Sequence, residues 1–199
     1  MPQIVILAGP NGAGKSTAAA GLLSQEVTFL NADEIAKELG GVPSPARDVQ
    51  AGRLLLQQLD DLQTQYHDIA IETTLASRTL APRIKGLQKD GYRFYLFFFW
   101  LPNPEIAVQR VAQRVLSGGH DIPEPVIRRR YEAGLRNFFA LYRPIANVWR
   151  MYDNTHVGEP ALIAKGALSV RETTLWKQLE GDWKDDQHTK HTAKAADQL

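Results

Sequence analysis

Residues 4–17 read IVILAGPNGAGKST, and the fold turns on them. Ile4, Val5, Ile6 and Leu7 make a short apolar run suited to a buried strand. Gly9 then opens Gly9-Pro10-Asn11-Gly12-Ala13-Gly14-Lys15-Ser16, a GxxxxGK[ST] pattern, and Thr17 with the small residues behind it starts a helix. A strand before and a helix after are the setting a phosphate-binding loop requires. Its glycines let backbone N–H groups converge on phosphate oxygens where a side chain would block them. The helix N-terminus adds unpaired donors and about half an elementary positive charge. Lys15 has the reach for β and γ phosphates, and the Ser16 hydroxyl can join a Mg²⁺ shell. The stretch therefore predicts a nucleoside triphosphate site built by Gly9, Asn11, Gly12, Ala13, Gly14, Lys15, Ser16 and Thr17. Gly-rich turns also join strands to helices with no ligand, but the full motif with both flanks argues for one.

Composition limits what surrounds that loop. At 199 residues, 44% hydrophobic and 23% charged, the chain suits one α/β domain, expected over residues 1–180. The polar stretch 181–199 lacks an apolar period and reads as a flexible tail; its His188 and His191 read as solvated rather than metal-binding. A net charge of +1 gives no bulk electrostatic case for nucleic-acid or membrane partners. Zero cysteines exclude disulfides, thiolate catalysis and Cys-ligated zinc, and fit a reducing cytoplasm. No apolar run reaches the ~18 residues a membrane span needs, and the loop lies too near Met1 for a signal peptide.

Read in order, the chain alternates strands and helices. A first helix is expected over 15–24, a strand over 27–30, and a helical turn over 34–39. A long helix over 45–66 carries Leu55, Leu59 and Leu62 at helical spacing. A third strand is DIAIET at 68–73, and a helix over 77–89 stops at Asp90-Gly91. RFYLFFFW at 93–100 is the most apolar strand and reads as central. Helices follow over 104–116 and 125–142, separated by SGGHDIPEP at 117–125, then a fifth strand over 148–152 and a last helix over 172–179. The alternation predicts a three-layer α/β sandwich around a mostly parallel five-stranded sheet. Right-handed crossovers gather the strand C-termini on one edge, where ligands bind in open sheets.

That edge collects the candidate side chains. Asp33, just after the second strand, is placed to take a proton from a hydroxyl aligned on a γ phosphate. A helix N-cap is the less favoured reading of the same residue. Glu72 ends the third strand ahead of Thr73 and Thr74. It reads either as a ligand to substrate or Mg²⁺, or as a buried acid satisfied by backbone donors. After Pro104, Ala107, Val111 and Val115 form an apolar stripe with Arg110 and Arg114 on its shoulder. After Pro125, Ile127, Tyr131, Leu135, Phe138 and Tyr142 form another, flanked by Arg128 and Arg130, with Arg129 toward solvent. Arg114 and Arg128, nearest the Gly-Gly loop, are the candidates for a clamp on transferring phosphate; solvated ion pairs are the alternative. LSGGH at 116–120 looks like an ABC-ATPase signature, but no helix follows it directly and the next strand ends Tyr152-Asp153-Asn154 rather than Asp-Glu.

The phosphate loop, NADEI at 31–35, IETTL at 71–75, GGHDIP at 118–123 and RRRYE at 128–132 together resemble compact zeta-toxin-like P-loop kinases over residues 3–155. The resemblance implies an ATP- and Mg²⁺-dependent kinase that phosphorylates the 3′-hydroxyl of the UDP-N-acetylglucosamine sugar, and a toxin restrained by an antitoxin. It implies Lys15 as the loop lysine, Asp33 as base, Glu72 as the third-strand glutamate with Ser16 on the metal, and Arg114 and Arg128 as lid arginines. Thr73, Thr74 and His120 join Asp33 and Glu72 as expected substrate contacts, and 117–125 is the expected lid. The chain is shorter than the founding toxins and its lid segment differs. A kinase for a nucleoside, antibiotic or other metabolite, without a toxin role, is therefore the alternative, and a nucleotide switch without transfer chemistry a third.

Overall fold

β1 (Gln3–Ala8) alternates its side chains between two separate cores. Ile4, Ile6 and Ala8 face one, Leu7 the other, and all four are fully buried. This two-sided burial is what a strand in the interior of a parallel sheet requires. The computed structural model describes residues 1–166 except 25, 43 and 157, together with 176 and 178–183. Its elements run β1, α1 (Lys15–Leu22), β2 (Thr28–Asn31), α2 (Ala32–Glu38), α3 (Pro45–Thr64), β3 (Ile69–Thr73), α4 (Leu80–Lys89), β4 (Arg93–Trp100), α5 (Pro104–Leu116), α6 (Glu124–Asn137), β5 (Val148–Asp153) and β6 (Ala161–Gly166). No described helix is long and apolar enough to cross a membrane.

The sheet order is β2-β3-β1-β4-β5-β6, with every pairing parallel except β5–β6. The expected five parallel strands are all present, and a sixth, antiparallel edge strand was not anticipated. The chain leaves β1 toward one edge for β2 and later returns past β1 to β4, so β1 lies at a topological switch point. β4 sits between β1 and β5, as its RFYLFFFW composition requires.

The two cores flank the sheet. One holds Leu55 and Leu59 of α3 and Ile84 and Leu87 of α4 against Ile69, Ile71, Phe94 and Phe98. The other holds Ala19 of α1 and Ala107 and Val111 of α5 against Leu7 and Phe99. α6 belongs to both: Ile127 near its start packs in the second core, while Leu135 near its end packs against the first. It therefore passes across an end of the sheet rather than lying on a face. Tyr131 Oη donates to Leu101 O (2.8 Å) just beyond the C-terminal end of β4, which identifies that end.

Several boundaries differ from expectation for local reasons. The helix expected from 77 starts at Leu80, because the Ser77 hydroxyl takes the Thr79 N–H and bonds its side chain in a local turn. The helix expected to reach 142 is α-helical only to Asn137; Phe138–Tyr142 widens into a π turn and Arg143–Ile145 tightens into a 3₁₀ turn. Residues 178–183 are helical, and Trp183 stacks on Phe139 with ring centroids 5.6 Å apart. The expected tail boundary at 180 thus falls inside a packed helix. Residues 172–175 and 177 of the expected last helix lie outside the described residues, as do His188 and His191 with the rest of the expected tail beyond 183.

Tyr131 and Tyr142 rivet the segment, and burial pushes both phenols up to about 12. A folded-state pKa above the unfolded value near 10 means their contribution is complete below pH 10 and is lost between pH 10 and 12. Tyr142→Phe should cost about 0.5–1.5 kcal/mol at neutral pH for the bond to Ser77 O. It should also flatten the loss of stability above pH 10, measured by urea unfolding at stepped pH.

Candidate active site

The phosphate loop is built by close packing as well as by sequence. Gly9 has φ 142°, and a Cβ there would run into Phe99 O at the end of β4, so no other residue fits. Gly14 (φ 76°) is the N-cap of α1, turning the chain so that the helix starts at Lys15. The loop's outward carbonyls are held from two sides. Arg110 of α5 donates to Gly12 O (3.3 Å) and Thr155 O (2.8 Å), and Asn154 Nδ2 donates to Ala13 O (2.7 Å). These two braces were not among the expected site residues.

Lys15 is buried, with 6% exposure, and its Nζ donates to Pro10 O (2.9 Å) and lies 3.8 Å from Glu72 Oε1. Burial pushes its pKa down; Glu72 and then Asp33 pull it back up, while Arg114 and Arg130 push it further down. Ser16 Oγ donates to Glu72 Oε2 (2.8 Å), so lysine, serine and glutamate form one connected group. Asn11 Oδ1 is buried in the loop with no hydrogen-bond partner, an orphaned acceptor beside the expected phosphate position.

Asp33 lies in the first turn of α2, and the cap is Asn31, whose Oδ1 accepts from Asp33 N (2.9 Å). The capping reading of Asp33 is thereby corrected: Asn31 in NADEI is the better-placed acceptor, two residues ahead of the N–H it binds. The Asp33 carboxylate makes no hydrogen bond or ion pair among the described residues. It lines a cavity of about 100 Å³ with Ser16, Glu72, Arg114 and His120, bounded further by Asn31, Glu34, Lys37 and Gly119.

Other expected residues are not brought there. Thr73 Oγ1 accepts from Leu75 N (3.1 Å) and Thr74 Oγ1 from Ala76 N (3.5 Å), so both hydroxyls shape their own loop. Arg128 pairs with Glu105 (2.6 Å) and Glu124 (2.8 Å) on an exposed face and does not line the cavity. Arg130, two residues on, is the arginine of α6 whose charge reaches Lys15; it is 21% exposed and pairs with Asp48 of α3 (3.3 Å). The signal for it lay in Gly134, four residues later on the same helix face. A glycine inside a helix marks a close approach, here to the backbone of Thr74. Arg114 Nη2 donates to His120 O (2.8 Å), folding the arginine over Gly119.

A family model described as AAA domain (AAA_33) matches residues 4–141. The chain belongs to that family. The AAA-domain match covers the loop, Asp33, Glu72 and both arginine-bearing helices. An uncharacterized protein of Haemophilus influenzae is 28% identical over 129 residues, 65% of this chain and 92% of that one. A chain of the AvrRxo1-ORF1:-ORF2 complex with ATP superposes at TM-score 0.72 with 20% identity over 90% of this chain. This chain spans 63% of that protein's length. The PezAT toxin-antitoxin system of Streptococcus pneumoniae gives a TM-score of 0.61 at 14% identity, covering 95% of this chain and 87% of its own. These likenesses are of fold: both proteins share the α/β core built around the phosphate loop.

Lys15 serves charge rather than packing. Lys15→Met should cut nucleotide affinity and any turnover by about 100-fold or more. The ligand-free melting temperature should stay within about 4 °C of wild type, about 1 kcal/mol at this size, because Glu72 keeps the Ser16 hydroxyl as partner and borders the cavity. Isothermal titration and scanning calorimetry check both.

Proposed function

We propose that the protein is an ATP-dependent phosphotransferase that moves a γ-phosphoryl group to a hydroxyl of a small molecule. The observation that carries this reading is the unpaired Asp33 carboxylate, lining the same cavity as Ser16 and Glu72 at the mouth of the loop. Asp33 also offsets the charge of buried Lys15, but with no hydrogen bond or ion pair among the described residues it stays available as the base a kinase needs. Asp33 takes the proton of the acceptor hydroxyl as that oxygen bonds to the γ phosphorus and the bond to the departing ADP oxygen breaks. Lys15 balances charge on the phosphates, and Arg114 and Arg130, whose charges both reach Lys15, stabilise the charge that builds during transfer. The lid reading for 117–125 is retained in narrower form: residues 117–121, exposed except half-buried His120, close, while buried Ile122 anchors the segment.

The donor set fits Mg²⁺. Ser16 Oγ and Glu72 converge, and the described residues contain no cluster of three acidic or histidine ligands, so most of the shell would come from phosphate and water oxygens. When bound, the ion supplies charge neutralisation of the phosphates. Ser16 and Glu72 would hold it.

The acceptor we favour is a sugar nucleotide such as UDP-N-acetylglucosamine, with the protein acting in the cytoplasm as a toxin held by an antitoxin. The motifs in NADEI, IETTL and GGHDIP support this, as does the toxin-antitoxin assignment of the PezAT system. One observation supports the second reading, a kinase for a smaller metabolite. A cavity of about 100 Å³ is well below the ~300–1,000 Å³ that drug-sized ligands fill, so it would enclose only the reacting part of a sugar nucleotide.

Incubation with labelled ATP and a panel of nucleotide sugars, nucleosides and antibiotics, with product identified by mass, tests the reading. Asp33→Asn should bind ATP normally, melt near wild type and lose about 10²–10⁴-fold in transfer. Arg130→Ala should slow transfer more than Arg128→Ala, whose exposed pairs contribute little. ATP binding without transfer to any acceptor or to water would leave the switch as the surviving reading. Growth arrest on expression, relieved by Asp33→Asn, separates toxin from metabolic kinase.

A further inference from the structure

The loop that follows Glu72 has an unusual backbone. Leu75 has φ 57°, a left-handed conformation that a γ-branched residue holds only where its surroundings enforce it. Leu75 is buried, and its own loop supplies part of the enforcement through the Thr73 and Thr74 hydroxyls. The rest comes from a single neighbouring segment. Asn137 Nδ2 donates to Leu75 O (2.7 Å) and Ala76 O (3.2 Å), and Tyr142 Oη donates to Ser77 O (2.7 Å). Gly134 presses its bare Cα against Thr74, where a Cβ would overlap the carbonyl oxygen. Four consecutive loop residues, Thr74 to Ser77, are thus contacted by Gly134, Asn137 and Tyr142.

The π turn explains how one segment does this. Residues five apart on an α-helix stand about 140° apart, so Asn137 and Tyr142 would face different neighbours. Hydrogen bonds spanning five residues widen the turn and bring both side chains onto the same loop. Asn137 is buried at 5% exposure, and both of its bonds go to this loop, which makes it a donor dedicated to one task.

The same helix reaches the nucleotide side. Arg130 precedes Gly134 by one turn, so the face pressed on the loop behind Glu72 also carries a cation toward Lys15. Because α6 runs from one core to the other across the sheet end, it cannot shift at one contact without shifting at both.

We infer that Gly134 and Asn137 are positioning residues, locking the Glu72 loop to α6 so that Glu72 and Arg130 keep a fixed separation during phosphoryl transfer. The inference rests on the kinase reading of the site. It also accounts for Thr73 and Thr74: their hydroxyls maintain the locked loop rather than touching substrate.

The test uses the full chain with two variants. Gly134→Ala forces the loop and helix apart. Asn137→Ser is gentler, shortening the side chain so that it no longer spans to both carbonyls. Amide hydrogen exchange over residues 72–77 should quicken about tenfold or more in each, while ATP affinity stays within threefold because the phosphate loop is untouched. Transfer to the identified acceptor, or to water if none is found, should fall about tenfold or more in kcat with KM for ATP unchanged. Quicker exchange with unchanged kcat would reduce the contact to a structural one and overturn the inference, as would unchanged exchange. Should Gly134→Ala fail to fold, Asn137→Ser alone decides. Failure of the kinase reading is distinct, since it appears in wild-type protein as no transfer to any acceptor or to water.

Discussion

A buried ammonium group controls the architecture of this edge. Lys15 sits at the junction of β1 and α1 with little access to water, and a buried cation is tolerated only with compensating partners. Pro10 O supplies a hydrogen bond, while the carboxylates of Glu72 and Asp33 supply opposite charge from the neighbouring strand ends. Those carboxylates reach it because the sheet order puts β3 beside β1 and β2 beside β3. The pairing of Leu7 with Glu72 and of Asn31 with Glu72 sets the strand ends level. Topology and register thus deliver the charges that make the lysine bearable, and arriving phosphates would add to them.

The rest of the loop obeys a second constraint, that amides turned toward a ligand leave carbonyls turned away. Gly12 O and Ala13 O face outward and are met by Arg110 and Asn154, from elements about 100 and 140 positions distant in sequence. Glycine at 9 and 12 lets β4 and α5 approach closely enough for this. The loop's shape is therefore held from outside as firmly as the lysine is held from inside.

What the sequence revealed follows from which signals are local. β4 and α5 were legible to the residue and the strand–loop–helix start to within two residues, because apolar runs and Pro104 act within a few positions. The gathering of the phosphate loop, Asp33 and Glu72 was legible through the rule that parallel strands end on one edge, whereas Arg114 and His120 were expected there from the Gly-Gly loop beside them and from the family resemblance. β6 was not, since ALIAKG is a short edge strand with an exposed lysine and gains its identity only by pairing with β5. The cap at Asn31 lost to Asp33 because both are good caps and only backbone angles distinguish them. Arg130 lost to Arg128 because a helical wheel gives the direction of a side chain but not which element lies opposite. Asn154 and the bracing role of Arg110 were missed because a brace for a carbonyl leaves no sequence pattern.

The two arginine-bearing helices differ in how freely they can move. Arg114 is tied to the lid by one exposed hydrogen bond to His120 O, a contact worth about 0.5–1.5 kcal/mol. Residues 117–121 carry no buried apolar side chain, and Gly118 holds a positive φ of 82° that no neighbour contests. α6 is different in kind. It is fixed by Tyr131 to the end of β4, by Gly134 and Asn137 to the β3 loop, and by its packing in both cores. Moving it would break several buried contacts together, each unsatisfied carbonyl costing about 1–3 kcal/mol. In the proposed kinase, residues 117–121 and Arg114 are therefore the part free to swing, against a frame in which Arg130, Glu72 and Lys15 are already set.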